Sequence, residues 1–538
     1  MNQLDLSNPE HRIFGKMLRM QAERAGNTAF LVTENERFSF AEAEAITNAL
    51  AGGLIACGLE KGDRVALYMG NRSEVVLFAL AINKIGAIWT PINTDYKGEW
   101  LRDTLTRSRC KVLLTDAEYE QRIVDMQQKL SVEHTVLIAD GNKPRLQNCS
   151  LYEQLLDHPP IAADYTDMNY GDTCAILWTS GTTGISKGVM QSYNSWVRAI
   201  VDGSSLMFDS RQGDVIYCVL PLFNAAAWIT SIFRALIEGI PCVIEPRFSV
   251  SNFWDRIKQF DATQTFLIGA MGVFVLNAPK RPDDANNPLR AAQIVPLSPE
   301  LWPVFEERFD VRLVRTGLGQ SECLMVTTQS EDRDDVPVYA LGFPPADIDV
   351  GLFDDDGNPV AAGEGGEICV RPLAPHVLFN GYFDSPEATA EAFRGEWFLT
   401  GDIGRQDPEN GAYYYVDRKK DTLRFAGRNI STLEVESVVR GHPDVDDVAA
   451  FGIPSAQVAS EHELKLNIVL AENASTSYEQ LCEFVNDNAP HFFVPRYIEF
   501  VDSLPYTPTN KVRKFKLREA GLSEQTWDIK LSSYKVKR

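Results

Sequence analysis

Residues 179–189 read Thr-Ser-Gly-Thr-Thr-Gly-Ile-Ser-Lys-Gly-Val, directly after the apolar, strand-like run Cys174-Ala175-Ile176-Leu177-Trp178. Small residues such as Gly181 and Gly184 let backbone amides close on an anion. Thr179, Ser180, Thr182, Thr183 and Lys187 add hydroxyl and ammonium donors suited to phosphate oxygens. A Walker loop requires Gly-Lys-Ser/Thr, whereas here Ser186 precedes Lys187, so any phosphate chemistry is of another class. The competing reading is a flexible polar linker, and the abrupt junction with an apolar strand argues against it. Other chemistries lack their residues. The seven histidines (His11, His134, His158, His376, His442, His462, His491) show neither H-E-x-x-H nor paired-ligand spacing. No G-x-G-x-x-G fingerprint marks the first strand, which removes a dinucleotide-binding dehydrogenase.

The elements that must position this segment alternate between two periodicities. Residues 40–58 place apolar side chains at helical spacing and stop at Gly58. A short strand over 63–71, a helix over 74–87 and a strand over 89–93 follow. The rhythm returns at 215–221, 241–246, 263–269 and 311–317, each rich in β-branched residues. Strands alternating with helices predict α/β layers with mostly parallel sheets. After Gly342 the runs 347–354, 366–372 and 412–418 are separated by Gly, Asp, Asn and Pro turns, which predicts a more antiparallel subdomain. Beyond Arg418 a helix, two strands and another helix are expected, enough for a separate small α+β domain.

Length and composition agree with that division. A chain of 538 residues exceeds one ordinary core, and 44% hydrophobic content is that of a folded globular protein. A formal net charge of −22 argues against nonspecific binding to nucleic acid or to an anionic membrane. Nine scattered cysteines without a C-x-x-C pair fit reduced thiols in a cytoplasmic protein. The first residues lack a basic segment followed by an apolar run, and the stretch 75–89 carries Lys84 and is too short to span a bilayer. The oligomeric state stays open, a homodimer included.

Seven further motifs accompany the phosphate-type segment. They are Lys84-Ile85-Gly86-Ala87 with Pro91 and Asn93; Pro221-Leu222-Phe223; Gly319-Gln320-Ser321-Glu322; Gly366-Glu367-Ile368; Trp397-Phe398-Leu399-Thr400-Gly401-Asp402; Asp417-Arg418-Lys419-Lys420-Asp421; and Pro508-Thr509-Asn510-Lys511-Val512. In this order, and over nearly the whole chain, they resemble the adenylate-forming superfamily of acyl-CoA synthetases, nonribosomal adenylation domains and luciferases. Taken singly, Glu322 reads as a solvated charge, Asp402 as a turn and Lys511 as part of a basic surface run. The resemblance implies more.

It implies an N-terminal domain over 1–417 that binds AMP and the acyl group, and a mobile C-terminal domain over 418–538. Thr179, Ser180, Gly181, Thr182, Thr183, Gly184, Lys187, Gly319, Gln320 and Ser321 are then ATP-binding, and Glu322 holds magnesium, a hard cation that prefers carboxylate oxygen. Asp402 accepts from the ribose hydroxyls with Arg418 beside it. Lys511 brings positive charge to the α-phosphate, Lys420 is the hinge, and Gly427 and Arg428 lie on the loop along the pantetheine arm of coenzyme A. Trp178, Asn224, Trp228 and Gly317 flank the motifs as candidates for the acyl pocket, where a Trp ring suits a quaternary ammonium. The implied reaction makes an acyl-AMP from a small-molecule carboxylic acid and ATP, then a thioester with coenzyme A. A stand-alone enzyme loading a carrier protein, or a nucleotide-binding regulator without catalysis, is the alternative.

Some positions depart from the family pattern. Leu318 stands where an aromatic usually stacks on adenine, Asn510 replaces a glycine before Lys511, and Asn224 takes a place often held by histidine. Ile294-Val295-Pro296-Leu297 lacks the glycines common at the adenine wall, which resembles ligases for crotonobetaine and carnitine.

Overall fold

The helix Phe40–Ala56 begins where its sequence dictates. Ser39 Oγ accepts from the Glu42 amide at 3.2 Å, and the Glu42 carboxylate accepts from the Ser39 amide at 2.8 Å, so two otherwise orphaned donors are satisfied together. The chain leaves this helix through Gly58 at φ +81°, a conformation that favours glycine. The next helix, Ser73–Ile85, is buried from Ser73 to Lys84 and apolar on nearly every side, as an element inside a layer must be. Lys84 ends it with its ammonium buried, 2.6 Å from Glu44 Oε2 and 2.6 Å from Asn48 Oδ1. Burial drives that ammonium down to about 8 against the pull of Glu44. Lys84 is thus an anchor between two helices.

These elements belong to a computed structural model that describes the chain except residues 1–2, 163–164, 180–185, 298, 330–332, 334, 355, 419–421, 426–427, 457, 459–460, 473, 506–511, 513 and 538. The chain divides into two compact units, one of residues 1–92, 105–178 and 188–419, the other of 93–104, 179–187 and 420–538.

The first unit contains a sheet ordered 312–313, 291–295, 264–268, 216–218, 242–244, 29–32, 37–39, parallel throughout except at the last pair. A second sheet runs 149–151, 134–138, 112–116, 64–68, 88–91, and continues into two strands that flank the phosphate-type segment. These are β1 (Thr173–Thr179) and β2 (Lys187–Ser192). Its pairings from 149–151 to β1 are parallel. A third sheet is antiparallel, as the later texture predicts: Ile348–Phe353, Gly365–Pro372 and β3 (Trp397–Gln406), with β4 (Tyr413–Arg418) and Phe393–Arg394 also on β3. One continuous apolar core, with Trp89, Trp196, Trp228 and Phe233 fully buried, joins these layers. Two helical stretches contain a π turn, Ile200–Ser204 and Trp228–Ile232, and the Ser204 hydroxyl donates to the Ile229 carbonyl at 2.8 Å.

The second unit holds a four-stranded sheet ordered 445–454, 462–470, 497–500, 527–528, with its own core around Val435, Ile468, Leu481 and Ile498. The helices Thr432–Arg440 and Tyr478–Asn488 accompany it. Trp100 meets Phe493 edge-on at 5.3 Å within the same unit. Among the described residues no helix is long and apolar enough to cross a membrane.

Candidate active site

Asp402 and Arg418 lie on neighbouring antiparallel strands, β3 and β4, directly opposite each other in register. That pairing gathers two motif residues that sequence alone leaves 16 positions apart. Asp402 is 1% exposed. Its amide donates to Thr400 Oγ1 at 3.1 Å, and Thr400 in turn donates to the Ile368 carbonyl at 2.6 Å. Glu367, from the Gly366-Glu367-Ile368 motif, accepts from the Gly401 amide at 3.0 Å, while Gly401 sits at φ +71°. Two motifs therefore fix the turn that presents the Asp402 carboxylate.

The second group stands on a tight hairpin. Leu318 bridges to Thr327, and the backbones come so close that a Cβ on Gly317 would lie 2.3 Å from the Thr327 carbonyl. A Cβ on Gly319 would lie 2.2 Å from the Leu324 carbonyl. Both glycines are required by close approach, so their first role is to shape the loop carrying Gln320, Ser321 and Glu322. Gln320 Nε2 donates to Asp402 Oδ2 at 3.1 Å and to the Thr400 carbonyl at 3.3 Å, tying this loop to β3. From β2, Gln191 donates its side-chain amide to the Ser321 carbonyl. The Phe379 amide donates to the Glu322 carbonyl at 2.9 Å, and Tyr382 donates its phenol to Glu322 Oε1 at 2.8 Å. Burial, reinforced by the Glu322 charge, pushes the Tyr382 phenol far above the ordinary tyrosine value, so it stays a donor. Arg198, 1% exposed, steadies the far end of the loop through the Met325 carbonyl at 3.0 Å and pairs with Asp347. Sequence reading missed Gln191, Phe379, Tyr382 and Arg198. None of the four carried a sequence signal of its own; Gly381, at φ +100°, makes the turn that aims Tyr382.

Thr179 closes β1, and its hydroxyl donates to the Lys187 carbonyl at the start of β2 at 3.4 Å. Ser180, Gly181, Thr182, Thr183, Gly184, Lys420, Gly427 and Lys511 lie outside the described residues, and Arg418 and Arg428 are described by backbone position. Residues 184–188 also spell G-x-S-x-G, the outline of a hydrolase nucleophile elbow. That elbow needs a strand-to-helix turn with an exposed serine. Here the segment leads into a strand, and Ser186 is 5% exposed with its hydroxyl 3.3 Å from Glu434 Oε1. In the basic run around Lys511, Lys514 is partly buried and pairs with Glu436 at 2.7 Å, so the run is more than a solvated surface.

The acyl-pocket candidates sit differently. Trp228 is fully buried, packs on Trp89 at 4.3 Å and donates its indole N–H to the Leu222 carbonyl at 2.7 Å. Trp178, on β1, has the Arg107 guanidinium over its ring at 5.0 Å. The Trp228 ring and one face of Trp178 are thus covered by the chain itself. Asn224 is half-buried at the entrance of the helix Ala225–Ala227. Leu318, in the adenine-stacking place, packs against the apolar core.

The AMP-binding enzyme family matches residues 18–383, and the AMP-binding enzyme C-terminal domain matches 434–511. A crotonobetaine/carnitine–CoA ligase of Citrobacter koseri is 30% identical over 516 residues, covering 92% of this chain and 97% of the relative. Among solved structures, the Mycobacterium tuberculosis fatty acyl CoA synthetase is 27% identical with a TM-score of 0.67, covering 95% of this chain and 99% of its own. An amide bond synthetase of Marinactinospora thermotolerans shares the fold at a TM-score of 0.81 and 24% identity, covering 94% and 99%. The family matches cover most of the chain, and they include the two β strands flanking the phosphate-type segment and the Glu322 hairpin: the chain belongs to the AMP-binding enzyme family.

Proposed function

We propose that this enzyme is an AMP-forming acid–thiol ligase. The oxygen of a carboxylate attacks the α-phosphorus of ATP, the bond to pyrophosphate breaks, and an acyl-AMP forms. The thiol of coenzyme A then attacks the acyl carbon, AMP leaves, and the thiol proton passes to solvent. The observation that carries this reading is the bond from Gln320 to Asp402. It holds a buried carboxylate suited to ribose hydroxyls and the Glu322 carboxylate on one framework. Aligning the reactants in this way is a large part of what such a site contributes.

Glu322 fits a magnesium ion that accompanies ATP. It is a half-buried hard-oxygen donor, and among the described residues no group of three His, Cys, Asp or Glu forms a cage made of protein alone. Magnesium bound through one carboxylate, with phosphates and water completing its shell, matches that donor set, and it would neutralise phosphate charge there. Following the family resemblance, Lys511 supplies the cation at the α-phosphate, Arg418 adds a donor at the ribose, Lys420 is the hinge, and Gly427 and Arg428 serve the coenzyme A arm. The acid is a small one. Its relatives named for crotonobetaine and carnitine support that class, with Asn224 and Gly317 on the pocket wall and Trp178 and Trp228 behind it. A cytoplasmic enzyme, as the scattered cysteines suggest, would have ATP and coenzyme A at hand.

The test is product analysis with a panel of small carboxylic acids, with and without coenzyme A. AMP, pyrophosphate and a thioester are the expected products. ADP and phosphate as the nucleotide products would overturn the reading, and AMP formation that no coenzyme A can drive on to thioester would restrict it to adenylation.

A further inference from the structure

We propose that Tyr382 is a positioning residue that aims the Glu322 carboxylate and ties it to the strand leaving the phosphate-type segment. This rests on the reading of Glu322 as a magnesium ligand.

Both halves of the tie are visible. On the backbone side, residues 379–383 run alongside β2. The Asn380 amide donates to Met190 O at 2.7 Å, Met190 to Gly381 O at 3.0 Å, and Phe383 to Gly188 O at 2.7 Å. Tyr382 itself bridges to Val189. Its amide donates to Thr389 Oγ1 at 2.9 Å, and Asn380 Nδ2 reaches Gly171 O and Thr173 Oγ1, both at 2.9 Å. The same short segment is therefore fastened to both strands that flank the phosphate-type segment.

On the side-chain side, the Tyr382 ring is 7% exposed and meets Phe379 edge-on at 5.0 Å; Phe379 in turn packs on Phe393 and Phe398. A ring so held delivers its hydroxyl to Glu322 Oε1 at 2.8 Å. A carboxylate has two oxygens and about four lone-pair sites, so the phenol bond to Oε1 orients it without using every acceptor site. The Phe379 amide fixes the Glu322 backbone from the same segment at 2.9 Å. Residues 379–382 thus set both the main chain and the carboxylate of Glu322. A hydrogen bond to a charged group is worth about a tenfold effect or more when lost, because the carboxylate then samples orientations that do not face the ion.

Tyr382→Phe removes the hydroxyl and keeps the ring. Wild type, Tyr382→Phe, Glu322→Gln and the double variant are compared in two ways: Mn2+ binding to the enzyme–ATP complex by electron paramagnetic resonance, and Mg2+ dependence of pyrophosphate release. Tyr382→Phe is expected to raise the half-saturating metal concentration about tenfold in both, with kcat at saturating Mg2+ and the melting temperature close to wild type. In the Glu322→Gln background it is expected to add nothing, because the bond it breaks no longer aims a carboxylate. An unchanged metal dependence for Tyr382→Phe, while Glu322→Gln shifts it, overturns the proposal and leaves the magnesium reading standing. A loss of melting temperature and kcat without a shift in metal dependence also overturns it, since that is packing alone. If Glu322→Gln itself leaves metal binding unchanged, the magnesium reading fails and the proposal falls with it.

Discussion

Around Asp402 and Glu322 the positions are set mainly by directed hydrogen bonds, whereas around Trp178 and Trp228 they are set mainly by rings packed on other groups, with one indole bond from Trp228 to the Leu222 carbonyl. Gln320 connects the Glu322 loop both to Asp402 and to the Thr400 carbonyl. Trp228 is wedged against Trp89 and Phe233, and Trp178 lies under Arg107. The two regions hold residues by different physics. A bond network tolerates few residue types at each place, while an apolar cluster tolerates many shapes of equal volume. On the proposed function the first region serves the nucleotide, common to every turnover, and the second the acid, which differs between related enzymes, so the rigid specification would fall on the nucleotide side.

The sharpest way to break this contrast is Trp228→Ala. A fully buried indole in a packed cluster should cost about 3–5 kcal/mol of unfolding free energy, read by urea denaturation, with the ranking of acids unchanged. Retained stability with a new acid preference would make Trp228 a pocket wall and erase the distinction. Next comes Asp402→Ala, expected to lower kcat/KM for ATP about 100-fold, roughly 2.7 kcal/mol, in pyrophosphate release. A change in KM for the acid with ATP unaffected would put Asp402 on the wrong side of the comparison.

Asn224→Ala tests the acyl side at its polar edge. It should redistribute kcat/KM among acids by about tenfold while KM for ATP holds. An equal loss for every acid would show a role in shaping the loop and none in selection. Smallest is Arg107→Gln, which uncovers the Trp178 face. A cation–π contact of this kind is worth about 0.5–1 kcal/mol, so melting should fall by only a degree or two. A gain in affinity for quaternary ammonium acids in equilibrium binding would show that Arg107 competes for that ring; unchanged affinity would remove Trp178 from the pocket.

The same contrast explains what could be read without coordinates. Asp402 and Glu322, each a bland turn or surface charge when taken singly, were singled out only by the resemblance that the ordered motifs carry together. The alternation of strands and helices from residue 63 to 93 was legible because burial on a parallel sheet imposes it. The strand expected over 311–317 is confined to Arg312–Leu313, because the chain must turn at once into the hairpin where Gly317 meets Thr327. Tyr382 and Gln191 were not legible, since their partners lie 60 and 130 residues away in sequence and only the fold brings them near. The ring partners of Trp178 and Trp228 were hidden for the same reason, as a Trp shows its size in sequence and not what covers it.

The π turns at Ile200–Ser204 and Trp228–Ile232 set a rule of length. A π turn fits one residue more than an α turn of similar rise, so it behaves as a single-residue insertion absorbed within a helix. Deleting one residue from 200–204 would therefore restore ordinary winding while the segments on either side keep their facing, so the pair of Arg198 with Asp347 would survive. Adding a residue would exceed what the turn absorbs and rotate the segment before it by about 100° relative to the segment after it. Arg198 would then swing away from Asp347, or Ser204 from the Ile229 carbonyl, and the two could not both be kept. This stretch is free to vary in residue type at exposed positions such as Leu206, and its register admits one residue fewer but not one more.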